Sequence, residues 1–341
     1  MAIMSFDFYG LTIRIQSENQ SLVDEIERDF TYFKSIAEEG EIRIEMNLMP
    51  PRYEGLPELP AQFITPRNVC YKDNTRTIID YSGKALCIHD RKKKTCTIQG
   101  ADFDLVREIC YLFILSVTGQ YFDKKGLHRI HALGISRGGK AALLLMPSGG
   151  GKSTMALRFL SRPGFLLLSD DSPLVDRSGN LLGFPLRVGI PPNQESSIDP
   201  KFIRTLNRME FDPKTVIDIE AFRDRLARSA SPSLLLVGQR NLGRVSRLEP
   251  LSKFRAFKAL TNNMIVGLGL YQGLEFLLER GSWEVFLKIG LLWTRLRNAL
   301  RLLRRSECYR FVTGRDLELN AACLTEFLEE KLPEEKDPVK E

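Results

Sequence analysis

The residues best placed to do chemistry form one run, Pro147-Ser148-Gly149-Gly150-Gly151-Lys152-Ser153-Thr154. Glycines carry no side chain to block backbone N–H groups from pointing inward at an anion, and a helix starting there adds partial positive charge. In that setting Lys152 would reach the β- and γ-phosphates of a nucleotide, and the Ser153 hydroxyl would sit on Mg²⁺. The run departs from a strict G-x-x-x-x-G-K-[ST] pattern at Met146, where the pattern has glycine. A second group follows: the apolar residues 165–168 close in Ser169-Asp170-Asp171. One carboxylate at a strand end can hold Mg²⁺, and a second can take a proton from an attacking hydroxyl.

The elements that must position these groups are legible from hydrophobic pattern. Residues 141–145 are all apolar and short enough for a buried strand. Residues 154–160 read as a helix with Met155, Ala156, Phe159 and Leu160 on its apolar side. Strand, glycine-rich turn and helix is the context a phosphate loop needs. Eighteen positions separate Lys152 from Asp170, room for one helix and one turn, so the acid-bearing strand is the next element. An LSGGQ-like signature, which transporter-type ATPases carry, is absent.

The stretch LHRIHALGISRGGKAALLLMPSGGGKSTMALRFLSRPGFLLLSDDSPLV resembles the catalytic domain of HPr kinase/phosphorylase and its related proteins, and more loosely their phosphoenolpyruvate-carboxykinase-like fold. The likeness rests on a histidine ahead of the loop, PSGGGKST and the early LLLSDD. It covers residues 127–190 and continues weakly through LLLVGQRNLGRVSRLEPLS and ECYRFVTGRDL. Little of the regulatory N-terminal domain of true HPr kinases is visible, so the related branch is the better comparison. The resemblance implies an ATP site on Ser148, Gly149, Gly150, Gly151, Lys152, Ser153 and Thr154, with metal on Ser153 and Asp171. It implies Asp170 as the general base toward an acceptor serine, and puts His131 at the family's active-site histidine position, its role open. On chemistry alone, a lone histidine on a strand is more often a satisfied core residue. Thr154 stands where HPr kinases have an acidic residue, and Arg187 is the nearest substitute for the family's arginine-glycine segment.

The implied fold class is α/β: a P-loop, HPr-kinase-like catalytic domain with a mixed sheet flanked by helices, preceded by a smaller α+β domain. The expected domains are 1–101 for partner recognition, 102–332 for catalysis and a frayed tail at 333–341. In the first, residues 5–16 read as a strand, 20–37 as a helix, 41–49 as a strand, 50–66 as a loop, and 70–98 as an antiparallel meander. Arg91-Lys92-Lys93-Lys94 is a basic turn, expected as a solvated hairpin tip. Residues 102–122 make a strongly apolar helix ended by Lys124, Lys125 and Gly126. Beyond the acids come a hairpin near 175–183, a Pro-rich loop over 185–200, a strand then helix over 212–228, a strand at 234–237 and a helix over 251–260. Further helices are expected over 265–278 and 283–305, the latter with leucines inward and arginines solvated. A strand at 308–313 and a helix over 316–332 follow, with Leu317, Leu319, Ala322, Leu324 and Phe327 inward.

Composition bounds the function. At 43% hydrophobic, 27% charged and net charge +6, the chain has the balance of a soluble globular protein with no argument for nucleic acid. No apolar run approaches a membrane span and no signal peptide is seen, so the expected setting is cytoplasmic, with six scattered cysteines reduced and no zinc site. The expected activity is an ATP- and Mg²⁺-dependent kinase acting on a serine of a protein or precursor peptide; self-association is compatible with it. The alternative is a nucleotide-binding module that assembles a partner complex without transfer, and a small-molecule kinase, on free serine or carboxykinase-like, ranks third.

Overall fold

The computed structural model describes residues 1–147, 149–190, 198–209, 212–265 and 282–334, with side chains of 265 and 282–289 outside the description. Ser148, the helix expected beyond 265, residues 191–197 of the expected 185–200 loop and the tail from 335 therefore lie outside the described residues, and the loop's start holds a short strand at Arg187–Gly189. Contacts divide the chain into two compact units. One holds Met1–Tyr121 with Arg204–Lys214; the other holds the described residues of Phe122–Ile203, Thr215–Tyr271 and Arg280–Glu341. The sequence reading sets its boundary ahead of residue 102, whereas by contacts the first unit continues to Tyr121.

In the first unit, β1 (Ala2–Phe8) and β2 (Leu11–Ser17) form a hairpin where one strand was expected. Its two-residue turn puts both Tyr9 (φ 55°) and Gly10 (φ 97°) in the left-handed region, the geometry that matches strand twist. Tyrosine is an unusual occupant, which is why the pattern ran through it. Asn19 caps α1 (Gln20–Phe30), which buries Leu22, Val23, Ile26 and Phe30 and ends earlier than expected in a 3₁₀ turn. Then come β3 (Lys34–Ser35), β4 (Ile42–Leu48), β5 (Ala61–Ile64), β6 (Val69–Lys72), β7 (Arg76–Asp80), β8 (Ala85–Asp90) and β9 (Thr95–Gly100). The nine-stranded sheet runs β3-β1-β2-β4-β9-β8-β7-β6-β5, with β5 to β9 the antiparallel meander. β5 lies inside the stretch expected as loop. α2 (Phe103–Lys125) follows, burying Val106, Ile109, Cys110, Phe113 and Ile114.

The second unit is built on β10 (His128–Arg129), β11 (Leu133–Arg137) and β12 (Lys140–Leu145), then α3 (Lys152–Leu160), β13 (Leu166–Ser169), β14 (Leu174–Val175) and β15 (Leu181–Leu182). β16 (Arg187–Gly189), β18 (Lys214–Asp218), β19 (Ser229–Arg240) and β20 (Arg247–Pro250) continue it, while β17 (Ile203–Leu206) falls from Arg204 onward in the first unit. α4 (Lys253–Leu260), a π-helical turn (Thr261–Ile265), α5 (Ser282–Arg305), β21 (Glu307–Thr313) and α6 (Leu317–Lys331) complete it. Its main sheet is mixed, ordered β10-β14-β15-β19-β12-β11-β13, with β21 beside β19 and β20 beside β21. Alternate residues of the central strands, Ala141, Leu143, Leu145 and Leu235, share one core with Ala256 and Leu260 of α4 and Ala299, Leu302 and Leu303 of α5. The other face carries α3, with α6 packed on it.

Two helix faces differ from expectation. On α6, Leu317 and Leu319 are exposed and Ala322 is exposed, while Asn320, Ala321, Leu324, Thr325 and Leu328 are buried. Asn320 is drawn inside because its amide bonds both the N–H and the C=O of Gly314. On α5, Leu292, Trp293 and Leu300 are exposed; Arg297, Arg304 and Arg305 are exposed as expected, and three of the arginines are also tied to neighbouring segments. Arg295 pairs with Asp123 at 2.9 Å, Arg301 donates to the Arg177 carbonyl, and Arg305 donates to Ser178 O and Asn180 Oδ1. Among the described residues no helix is long and apolar enough to cross a membrane.

Candidate functional site

β12 and β13 each pair antiparallel with β11, so their C-terminal ends lie at one end of the sheet, where β11 begins. Three segments converge there: the glycine loop after Leu145, the acids after Ser169, and His131 ahead of Leu133. The backbone fixes the last two together, Ile130 N–H donating to the Pro173 carbonyl and Ala132 N–H to the Asp171 carbonyl, both at 3.0 Å. The His131 N–H donates to the Asn263 carbonyl at 2.9 Å, from the π-helical turn.

Within the loop, the Gly150 N–H closes a turn on the Pro147 carbonyl at 3.0 Å. Gly149 (φ 71°) and Gly151 (φ 95°) are left-handed, a conformation costly to any residue with a Cβ. A Cβ at either would meet nothing within 4 Å, so backbone shape requires these glycines and the space above them is open. Gly151 is the N-cap of α3 and no side chain caps the helix, which leaves its first-turn N–H groups toward that space. The helix begins at Lys152, two residues ahead of the expected 154.

Met146, at the position where the motif has glycine, is buried. Its side chain lies over Gly238 of β19, where a Cβ would run into Met146 Cγ. A glycine on the neighbouring strand thus makes room for the methionine. The Met146 carbonyl accepts from Lys152 Nζ at 2.9 Å, and Nζ lies 3.1 Å from His131 Nε2 and 3.8 Å from Asp171 Oδ1. An ammonium can only donate, which assigns His131 Nε2 as acceptor and puts the ring proton on Nδ1. Nδ1 is 3.2 Å from Asp171 Oδ1 but off the hydrogen-bond line. The Lys152 side chain is 9% exposed and that of Asp171 46%, so the cation lies inside and the acid at the mouth.

Of the other expected site residues, Asp170 is half-buried at the end of β13, Ser153 is half-buried in the first turn of α3, and Thr154 is buried. Arg187 opens β16, which packs against α3 and sets Arg187 opposite Asp218 of β18. Ser148 lies outside the described residues. The contributions that residue-type reasoning misses are the carbonyls of Met146 and Asn263, since a main-chain acceptor leaves no mark in the side chains. Gly238 is different: an isolated glycine in an apolar strand is itself a sign of close approach.

Among the described residues no three His, Cys, Asp or Glu side chains gather as a metal cage. No protein-family model matches the chain, and no curated protein matches it.

Proposed function

We propose that this protein is an ATP- and Mg²⁺-dependent kinase of HPr-kinase-like type, phosphorylating a serine hydroxyl on a protein or precursor peptide in the cytoplasm. The observation that supports it most is the buried Lys152 ammonium between His131, the Met146 carbonyl and Asp171, beside an uncapped helix start. Open space over Gly149 and Gly151 fits a phosphate chain. Backbone amides and Lys152 would hold the β- and γ-phosphates, and Ser153 and Asp171 would hold Mg²⁺. When bound, Mg²⁺ supplies charge neutralisation on the transferring phosphoryl group. Asp170 takes the proton of the acceptor hydroxyl. His131 keeps the Lys152 ammonium oriented through Nε2, with its ring beside Asp171. Catalysis in this reading is positioning plus electrostatics.

Asp170→Asn is expected to keep ATP affinity and to lose transfer by about 10²-fold or more, as for removal of a general base. Transfer by that variant at the wild-type rate would remove Asp170 from the base role. Lys152→Ala is expected to weaken ATP binding itself, measured by calorimetry; unchanged affinity refutes the loop reading. The second reading, a nucleotide-binding module without transfer, draws on the engagement of Lys152 by the Met146 carbonyl and on Thr154 in place of an acid. Incubation with labelled ATP and cell extract separates the two, because label on a serine of a second polypeptide supports only the kinase.

A further inference from the structure

β19 runs parallel to β12 with Val237 beside Leu145, so Gly238 neighbours Met146 at the root of the glycine loop. Arg240 lies two residues on, about 7 Å further along the strand and on the same face as Gly238. It opens a run, QRNLGRVSRL over 239–248, with three arginines and no acid. Residues 240–245 are exposed throughout. They are nonetheless tied down. Asn241 N–H donates to the Thr313 carbonyl at 2.9 Å and Arg315 N–H to the Gly243 carbonyl at 2.8 Å. Asn320 holds both backbone groups of Gly314 (2.8 and 2.9 Å), and a side chain on Gly314 would strike the Arg244 carbonyl.

The result is a stitched two-loop platform presenting Arg240, Arg244 and Arg315 beside Leu242 (87% exposed), Val245 (69%) and Leu317 (48%). The acids nearby are committed: Asp316 caps α6 and pairs with Arg244 at 3.4 Å, and Glu318 pairs with Arg158. Arg240 and Arg315 have no ion-pair partner among the described residues.

We infer that this platform docks an acidic, amphipathic segment of the acceptor polypeptide, presenting its serine to the Lys152–Asp171 end of the sheet. The inference rests on the kinase reading and selects, within it, a polypeptide acceptor over free serine, which is too small to span platform and site. Cations interleaved with exposed aliphatic side chains complement carboxylates interleaved with apolar residues.

The probe is a short synthetic peptide with one serine flanked by alternating Glu and Leu, paired with a version carrying Gln for each Glu. Fluorescence anisotropy at low salt is expected to give at least about ten-fold tighter binding of the acidic peptide, a preference that added salt erodes. The double variant Arg240→Glu/Arg315→Glu is expected to abolish that preference, leave ATP affinity unchanged, and raise KM for peptide phosphorylation with kcat retained. Equal binding of the two peptides, or undiminished acidic-peptide binding by the double variant, overturns the inference. So does a dimer by light scattering that the double variant dissolves, since the platform is then a contact between copies. If the acidic peptide is preferred but ATP does not bind, the platform stands and the kinase reading falls. If ATP binds and an extract protein is phosphorylated without any peptide preference, the platform alone falls.

Discussion

At the scale of single residues, Met146 and Gly238 are one unit. Gly238→Ala would force its Cβ into Met146 Cγ, pushing the carbonyl that holds Lys152. Overpacking of this kind costs about 1–3 kcal/mol. Met146→Ala in the same chain should recover part of it, and a double-mutant cycle of urea midpoints measures the coupling. Glu108 offers a pH test. Burial raises its carboxyl above the ordinary range even though it accepts the Met209 N–H at 2.7 Å. Between the ordinary and the raised value the folded state keeps a proton that the unfolded chain has released, so stability falls as pH rises through that window. Glu108→Gln keeps the acceptor and removes the ionisation. Unfolding midpoints from about pH 4 to 8 should decline less for the variant. Lys152, His131 and Asp171 were legible beforehand because side-chain type and spacing single them out. The bonds that orient them were not, because two of the acceptors are main-chain carbonyls.

Among elements, the most informative are those whose ends are set by backbone conformation. Gly151→Ala tests the helix start. Its φ of 95° is costly to alanine by roughly 1–2 kcal/mol, yet the added methyl touches nothing. Loss of ATP affinity beyond the loss in stability would therefore report a changed loop shape, not crowding. Strand and helix identities followed from periodicity wherever a face was uniformly apolar, as in residues 141–145 and α2. Their boundaries failed where a single residue broke type. Tyr9 turns a hairpin in a place usually given to Asn or Gly. Asn320 takes an inward place on α6 while Leu317 and Leu319, expected inward, are exposed, and Gly314 satisfies it. A polar residue with a local partner can occupy the core, and hydropathy has no means of seeing the partner.

For the whole molecule, the chain order and the contact order disagree. Residues 204–214 group with the first unit although residues 122–203 of the second precede them. Arg204 donates to Asp29 at 2.7 Å and to Glu25 at 2.6 Å, and Arg107 lies 3.3 Å from the same Asp29, which is fully buried. Arg204→Ala would leave Asp29 with half its compensation, and breaking a buried pair in this way costs about 3–5 kcal/mol. Thermal and urea unfolding of the variant check this, and Arg204→Lys should recover little, because one ammonium cannot serve both carboxylates as a fork does. Hydrophobic pattern sets the division ahead of the helix that leads into the His131 segment, and pattern along the chain does not show that a later segment returns to the first unit. Translation runs in one direction, so Arg204, which bonds both Asp29 and Glu25, is still unsynthesised when residue 121 leaves the ribosome. The N-terminal third must wait for its missing guanidinium, and a nascent chain stalled before residue 204 should be open to protease where the finished protein is closed.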